Sequence, residues 1–453
     1  MNEHGKSSSP LLRERQMIRQ LTSRAIEIGT PIIAESALVQ DRDFNLKDVE
    51  MTRKLIETVS PVTVENFQLH AHLQLAGKFS KKMAGLMGLD KNEMECLGLL
   101  HDFGRFITQR WLREELIENR TLRRMGMRES LLKKTPDVRI FTNRNPGNQN
   151  DVEQVMNGLS PAQKVIMMAD ICGKRKADGS ILTFEEVMQH HRSSRSNYRL
   201  TTGLAPLWAS EKKLNSDVVN FSERIYRASF DWFKSRHVDL EEMRTKILEE
   251  ESETRVQAVM FDVGNVLVRN PDSEIMQDIS RSLDLDTRVV TSAWDELVPK
   301  LQIGAMDSEE FWKKFSQMVG KSLPVGYENL LTRHLQTNID PELEGLIGTL
   351  KKSGFKLAVF SDTVKPHIEA YDRTGVYKPF DVRILSPEIG VTKSKPEAFS
   401  IAATRLWLPP QGCLFIDDNP EYVQNARNAK MKAVVYESPA QLKRAMKEIM
   451  PQE

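Results

Sequence analysis

An adjacent His-Asp pair, His101–Asp102, ends the apolar run of the segment CLGLLHDFGRF at residues 96–106. Burying two titratable side chains among leucines and phenylalanines costs free energy unless polar partners or a metal ion satisfy them. Imidazole and carboxylate groups together suit a borderline divalent metal, which lowers the pKa of a bound water and so supplies hydroxide. The pair therefore predicts a site in which other polar groups or a metal ion satisfy both side chains.

Carboxylates also follow short apolar runs in the C-terminal half of the chain. One carboxylate there can attack phosphorus and form an aspartyl-phosphate, which divides one difficult step into two. Others can hold Mg²⁺, a hard cation that prefers oxygen ligands. The acidic residues concerned are Asp262, Asp362, Asp417 and Asp418.

The elements that must position these carboxylates are buried strands. Four apolar runs predict them: VQAVMFD (256–262), KLAVFSD (356–362), GCLFIDD (412–418) and KAVVY (432–436). Helical segments separate the runs, and this alternation predicts an α/β domain with a parallel sheet covered by helices on both faces. The carboxyl ends of such strands share one edge, where ligands bind. The four carboxylates are therefore expected at that edge.

Four motifs between Val256 and Tyr436 resemble, in order, those of the haloacid dehalogenase (HAD) superfamily. They are FDVGNVL, VFSDT, GVTKSKPEAF and FIDDNPE. The resemblance implies a HAD-like Rossmannoid domain that binds Mg²⁺ through Asp262, the carbonyl of Gly264, Asp417 and Asp418. It further implies Asp262 as the nucleophile, Ser361 as a hydrogen-bond donor to the phosphoryl group, and Lys393 as the balancing charge.

One position departs from the HAD phosphatase motif. The full motif has a second Asp two residues after the nucleophile, as general acid and base, whereas this chain has Gly264. Glycine cannot donate a proton to a leaving group. The variant resembles a subgroup that includes working phosphatases, and the superfamily's dehalogenases also lack this Asp. Phosphatase chemistry is favoured because dehalogenation does not use the metal site of Asp417 and Asp418; a silent HAD domain is the remaining alternative.

A helical cap is predicted at about residues 270–350, where no strand pattern occurs. The segment GAMDSEEFWKKF (304–315) reads as an amphipathic helix with Asp307 as its N-cap. Phe311, Trp312 and Phe315 form its aromatic stripe, which we expect to be core of the cap rather than a substrate box. Such a cap resembles those that close over small phosphate esters in many HAD enzymes.

The N-terminal part reads as all-helical, because apolar residues recur at three- and four-residue spacing. Two histidines, His70 and His72, precede the His-Asp pair on a predicted helix. Counted from His72, Ala76, Phe79, Met83 and Met87 fall at i+4, i+7, i+11 and i+15. This spacing resembles the first helix of the HD phosphohydrolase superfamily, and the resemblance favours His72, with His70 expected to be a surface or second-sphere residue. A further aspartate, Asp170, lies on the amphipathic segment PAQKVIMMADICGK.

This H…HD…D pattern over residues 60–200 resembles the HD phosphohydrolase superfamily. The resemblance implies a metal site of His72, His101, Asp102 and Asp170, with Arg105 near the substrate phosphate. Residues 103–169 contain no histidine, whereas dinuclear HD sites use extra histidines there. We therefore expect one divalent transition metal, such as Mn²⁺, Co²⁺, Fe²⁺, Ni²⁺ or Zn²⁺.

The chain turns basic between Arg105 and Arg144, and again at residues 190–199. Glutamates are interspersed, so a solvated helix face is the simpler interpretation. A rim that binds nucleotides or RNA is the alternative.

The 453 residues predict two or three domains. We expect a helical extension (1–59), an HD-type domain (60–237), a charged connecting helix (238–255) and a HAD-like domain (256–453). Lys and Arg number 64 and Asp and Glu 63, so net charge indicates neither nucleic acid nor membrane. Three separated cysteines, no signal peptide and no apolar run of 18 residues predict a cytoplasmic protein without membrane contact.

The combined prediction is a bifunctional metal-dependent phosphohydrolase. The HD site would hydrolyse a phosphoester, such as a nucleotide, a cyclic phosphate or a nucleic-acid end, and the HAD site a phosphomonoester. The expected partner is a small phosphorylated, nucleotide-like substrate, with nucleic acid as a second candidate. The alternative is a nucleotide-binding sensor with one or both domains catalytically silent.

Overall fold

The computed structural model describes residues 10–106, 119–134, 149–174, 181–189, 212–269 and 272–450. The chain forms two compact units. The helical unit comprises Met1–Pro61 and Gln68–Glu249, and the sheet unit comprises Val62–Phe67 and Glu250–Glu453. Within the described ranges, no helix is both long enough and apolar enough to cross a membrane.

The regular elements of the helical unit, in its described ranges, are helices. They are α1 (Pro10–Ile33), α2 (Leu46–Val59), α3 (Phe67–Met87), α4 (Lys91–Leu100), the 3₁₀ turn Phe103–Phe106, α5 (Glu129–Leu132), α6 (Gln149–Gly158), α7 (Pro161–Cys172), α8 (Lys212–Lys234) and α9 (Leu240–Ser252). Residues 119–124 and 184–189 are also helical. The connecting helix predicted at 238–255 is thus α9, and the boundary between the units falls within it, after Glu249.

Local sequence explains where the site-bearing helices begin. Asp90 caps α4 by accepting a hydrogen bond from the amide of Glu93. Ser160 and Gln163 form a capping box at the start of α7, with Pro161 in the first turn. These capping residues fix where α4, which leads to His101, and α7, which carries Asp170, begin.

Two glycines allow helices α3, α4 and α7 to approach one another closely. A Cβ at Gly98 on α4 would lie 2.4 Å from Ser80 Oγ, and a Cβ at Gly173 after α7 would lie 3.1 Å from the amide nitrogen of Ala76. Any larger residue would separate the backbones. The two glycines therefore bring the helices close around His72 on α3.

The sheet unit contains a five-stranded parallel sheet in the order β3-β2-β1-β4-β5. The strands are β1 (Ala258–Phe261), β2 (Lys356–Ser361), β3 (Val382–Leu385), β4 (Cys413–Asp417) and β5 (Lys432–Val435). All four predicted strands are present, and the predicted parallel arrangement is confirmed. The edge strand β3 was not predicted, because Arg383 interrupts its apolar residues and only Ile384 and Leu385 of the strand are buried.

Both faces of the sheet are buried. On β1, Val259 and Phe261 pack into one apolar cluster, while Ala258 and Met260 pack into another on the opposite face. This alternation follows from the two-residue period of a strand. The helices of the unit are α10 (Asp272–Leu283), α11 (Thr287–Gln302), α12 (Ser308–Val319), α13 (Pro341–Lys352), α14 (Lys365–Thr374), α15 (Ser386–Ile389), α16 (Pro396–Leu406), α17 (Pro420–Asn428) and α18 (Pro439–Ile449), with 3₁₀ turns at Tyr327–Asn329 and Pro410–Gly412.

Helices α10, α11 and α12 form a helical insertion between β1 and β2. Asp307 accepts a hydrogen bond from the amide of Glu310 and caps α12, as predicted. Phe311, Trp312 and Phe315 are all buried in the apolar cluster of this insertion. The interpretation of the aromatic stripe as core is therefore confirmed.

Candidate active sites

The first site lies where β1 and β4 end. The two strands pair in register, with Phe261 opposite Ile416. The next residues, Asp262 and Asp417, therefore reach the same edge side by side. Asp262, Asp417 and Asp418 each offer a carboxylate oxygen, and these oxygens lie within 4.8 Å of one another.

Lys393 joins two of these carboxylates. Its ammonium Nζ lies 2.7 Å from Asp262 Oδ1 and 2.6 Å from Asp417 Oδ2, and its side chain is 2% exposed. Asp417 Oδ1 also accepts a hydrogen bond from the backbone amide of Asn419 at 2.8 Å. Lys393 is thus in direct contact with two of the carboxylates with which it was predicted to act.

Burial is the largest influence on the pKa values of the two aspartates that contact Lys393. It raises the pKa of Asp417 to about 6 and that of Asp262 above its ordinary value, although the charge of Lys393 opposes both shifts. Burial alone would lower the pKa of Lys393, but the neighbouring carboxylates outweigh it and raise that pKa. Three carboxylates beside one ammonium leave an excess of negative charge. This donor set of hard oxygens fits Mg²⁺.

The loop after β1 carries Gly264 and Asn265. Gly264 forms a bridge with Val268, and the amide of Asn265 donates to the Val268 carbonyl at 2.6 Å. Asn265 has a left-handed backbone with φ of 56°. Its side-chain Nδ2 donates to Asp418 Oδ2 at 3.0 Å. The sequence motif contained Asn265, but nothing in the pattern assigned it a role.

Ser361 and Asp362 occupy the neighbouring strand end. Ser361 is the last residue of β2 and is buried. Both carboxylate oxygens of Asp362 accept from the backbone amide of Lys393, at 3.0 and 3.2 Å. Asp362 therefore anchors the segment that carries Lys393.

Two further residues that the sequence did not single out support Lys393. The Tyr422 ring centroid lies 5.1 Å from Lys393 Nζ, which is a cation–π distance. Asn425 donates to the Lys393 carbonyl at 3.3 Å. Both lie on α17, and only the packing of that helix reveals them.

The second site gathers His72, His101, Asp102 and Asp170 in the helical unit, with one ligand atom of each within 4.8 Å of the others. The imidazole Nε2 of His72 lies 3.1 Å from Asp170 Oδ1 and 3.7 Å from Asp102 Oδ2. His101 Nε2 lies 3.5 Å from Asp170 Oδ1 and 3.7 Å from Asp102 Oδ2. The four residues thus come together from α3, the end of α4 and α7.

Backbone carbonyls set the tautomer of both histidines. His72 Nδ1 lies 3.0 Å from the Gly173 carbonyl oxygen, and His101 Nδ1 lies 2.7 Å from that of Gly98. A carbonyl can only accept, so each Nδ1 carries the proton and donates it. In the neutral imidazoles the Nε2 lone pairs then face the two carboxylates. A divalent metal fits this set, because second-sphere carbonyls orient its histidine ligands in the same way and two carboxylates balance its charge.

Two cations flank this cluster. Arg105 donates to Asp102 Oδ2 at 2.8 Å, and Lys174 Nζ lies 3.6 Å from Asp170 Oδ1. Burial would raise the pKa of Asp170, but the charge of Lys174, together with the imidazoles when they are protonated, holds that pKa well below its ordinary value. Asp170 therefore stays ionised and able to bind a cation.

Of the two positions expected for His70, at the surface or in the second sphere of the site, the surface position is wrong. His70 is fully buried, and its ring centroid lies 4.8 Å from that of Phe106. The helical turn that points His72 into the polar cluster directs His70 into the apolar interior, because residues two positions apart on a helix lie on different faces.

Several residues of the predicted basic region pair with acids. Arg123 contacts Glu129, Arg128 contacts Asp41, and Lys134 contacts Glu93. These pairs support the simpler interpretation of a solvated face. Other basic residues of the region fall outside the described residues: Arg110, Arg113, Arg139, Arg144 and residues 190–199.

Comparison with known proteins finds a family match within the sheet unit. Residues 256–430 match the family model of haloacid dehalogenase-like hydrolases. Glyceraldehyde 3-phosphate phosphatase of Methanopyrus kandleri is 26% identical over 206 residues, which are 40% of this chain and 83% of that protein. Protein CbbY of Rhodobacter capsulatus is 29% identical over 104 residues, 22% of this chain and 46% of that protein.

Acyl-CoA dehydrogenase family member 10 of Mus musculus is 27% identical over 181 residues. The match is 36% of this chain and spans only 16% of the mouse protein. Among solved structures, a HAD family enzyme of Bacteroides thetaiotaomicron in a magnesium complex is 18% identical, with a TM-score of 0.38 over 42% of this chain and 98% of that chain.

Proposed function

Because residues 256–430 form a haloacid dehalogenase-like hydrolase domain, we propose that the protein is a Mg²⁺-dependent phosphomonoesterase acting at the carboxyl edge of the sheet. The contact of Lys393 Nζ with Asp262 and Asp417 carries this proposal. A buried ammonium between two strand-end carboxylates lies where it can hold a nucleophile and balance the charge of a phosphoryl group.

Asp262 is the proposed nucleophile. Its carboxylate oxygen attacks phosphorus, the new oxygen–phosphorus bond forms, and the ester bond to the leaving group breaks. Water then hydrolyses the aspartyl-phosphate, which releases phosphate and restores Asp262. Lys393 holds the Asp262 carboxylate for attack, and the Ser361 hydroxyl is proposed to donate to a phosphoryl oxygen.

Asp262, Asp417 and Asp418 are the side chains that would hold Mg²⁺, with the carbonyl of Gly264 as a further ligand. When bound, the ion offsets negative charge on the phosphoryl oxygens. The helical insertion of α10 to α12 is proposed as the cap that excludes water during transfer.

The proposed substrate class is a small phosphate ester. One relative is named as a phosphatase of a three-carbon phosphate, which supports a small substrate. We also propose a nucleotide-like phosphate ester as substrate, because the helical unit resembles HD phosphohydrolases. Nucleic acid is a secondary candidate.

A second activity is proposed at His72, His101, Asp102 and Asp170. The observation that favours it is the convergence of two Nε2 lone pairs on two carboxylates. These residues would hold one divalent transition metal, which supplies a hydroxide for phosphoester hydrolysis. Arg105, which donates to Asp102 Oδ2 at 2.8 Å, is proposed to bind the substrate phosphate. The rival proposal is a sensor, in which one or both sites bind a nucleotide without turnover.

The experiment that tests the monoesterase measures para-nitrophenyl phosphate hydrolysis with Mg²⁺ for the wild type and Asp262→Asn. Asp372→Asn, an aspartate on α14 paired with Arg383, is the matched control. We expect Asp262→Asn to abolish activity and the control to retain it. Undiminished activity in Asp262→Asn would remove this edge from the mechanism, and an inactive wild type would favour the sensor.

A further inference from the structure

The three carboxylates of the sheet edge are held by different partners. Asp262 and Asp417 contact the ammonium of Lys393, and Asp417 also accepts from a backbone amide. Asp418, one residue beyond β4, accepts instead from the side-chain amide of Asn265 at 3.0 Å. The least buried of the three carboxylates is thus the one held by a neutral donor.

The backbone around Asn265 fixes this donor. Its φ of 56° is a left-handed conformation that asparagine and glycine adopt more readily than other residues. The amide of the same residue donates to the Val268 carbonyl at 2.6 Å. The side-chain amide therefore projects from a closed turn rather than from a loose loop.

We infer that Asn265 is a positioning residue for the cation, acting through Asp418. Its hydrogen bond restricts the rotation of the Asp418 carboxylate and so presents that ligand in one orientation. Because an amide is neutral, it holds Asp418 without cancelling the negative charge that attracts the cation. A lysine or arginine in the same place would cancel it. This inference rests on the proposed Mg²⁺ site.

The test is a Mg²⁺ titration by calorimetry on the full chain. All variants carry His101→Ala, so that the quartet of the helical unit does not contribute. Asn265→Gly removes the donor and keeps the left-handed backbone accessible. We expect it to raise the Mg²⁺ dissociation constant about tenfold, the size typical for loss of a partner behind a metal ligand. The KM for para-nitrophenyl phosphate at saturating Mg²⁺ should rise much less.

A double-variant comparison separates this role from a general structural one. Asp418→Asn alone should weaken Mg²⁺ binding, and adding Asn265→Gly to it should cause little further loss, since Asn265 acts through Asp418. Asn265→Ser, which retains a donor, should lie between wild type and Asn265→Gly. If Asn265→Gly lowers the melting temperature strongly, the Ser variant supplies the comparison.

Two outcomes would overturn the inference. One is an unchanged Mg²⁺ dissociation constant in both Asn265 variants. The other is that Asn265→Gly weakens Mg²⁺ binding by the same factor in the Asp418→Asn background as it does in the parent protein. Failure of the proposed function is distinguishable. In that case the parent protein binds no Mg²⁺, or Asp418→Asn binds it as tightly as the parent does.

Discussion

The Nε2 atoms of His72 and His101 lie 3.2 Å apart. Each imidazole donates its Nδ1 proton to a backbone carbonyl. In the neutral rings two lone pairs therefore face each other, which is unfavourable unless a metal ion binds both nitrogens or one ring takes up a proton, and the neighbouring carboxylates raise the pKa of His101. This relationship is the strongest feature of the helical unit in favour of a metal.

The first prediction concerns that metal. Purified protein should carry about one transition metal per chain at the quartet, and His101→Ala and His72→Ala should each lose it. Metal analysis of the purified variants measures this.

His70→Ala is the matched control for these variants. It should keep most of the metal but melt at a lower temperature, because it removes a buried ring that contacts Phe106. Two metals at the quartet, or full occupancy in His101→Ala, would contradict a mononuclear site.

The second prediction concerns Lys393. Lys393→Met should abolish monoesterase activity and destabilise the sheet unit by about 3–5 kcal/mol, since it leaves two buried carboxylates without their counter-charge. Urea unfolding followed by circular dichroism measures the loss. Lys395→Met, a change at an exposed neighbour, should have little effect on stability. Equal stability of the two variants would show that Lys393 does not balance these charges.

The third prediction concerns Gly264, which cannot protonate a leaving group. General acid catalysis is worth about 10²–10⁴-fold, and its loss should affect poor leaving groups most. We expect fast hydrolysis of aryl and acyl phosphates and slow hydrolysis of alkyl phosphates. The measurement is a series of monoesters that span leaving-group pKa, with His101→Ala protein.

A hydrolysis rate that does not change with leaving-group pKa would show that another residue donates the proton. Asp362 and Asp418 are the candidates, since both lie at the same edge. Gly264→Asp is the complementary variant, and it should raise activity on alkyl phosphates relative to aryl phosphates if an acid at this position is what the site lacks.

The fourth prediction concerns Asp48 in the helical unit. Burial would raise its pKa, but hydrogen bonds from Arg42 and from the amides of Ala37 and Asn45 outweigh this and hold the pKa below its ordinary value. A depressed carboxyl pKa stabilises the fold above the ordinary pKa, and this stabilisation is lost as pH falls through the folded value.

Asp48→Asn should therefore lower the unfolding free energy by about 1–3 kcal/mol at pH 7. The difference from wild type should persist to about pH 4.5 and narrow only below about pH 4. Urea midpoints at pH 7, 4.5 and 3.5 measure this, with the exposed Asp43→Asn as control. A difference that is the same at all three pH values would contradict the assignment.

The sequence by itself determined the α/β class of the sheet unit and the grouping of its strand-end carboxylates. Continuous apolar runs can be buried on both faces, so they identify β1, β2, β4 and β5 as core strands of a parallel sheet. Because the strands are parallel, their carboxyl ends lie at one edge of the sheet, where ligands bind. That is why Asp262, Asp417 and Asp418 could be grouped before any coordinates were known.

Only the tertiary structure decided the contacts that depend on packing between distant elements. The edge strand β3 has Arg383 among its apolar residues and so shows no continuous apolar run. The burial of His70 and the role of Asp362 depend on which neighbours face those side chains. The donor from Asn265 to Asp418 joins residues 153 positions apart, and the carbonyl that sets the tautomer of His72 belongs to Gly173, 101 positions away. Sequence periodicity reports the face on which a residue lies, whereas hydrogen-bond partners across elements are fixed only when those elements pack together.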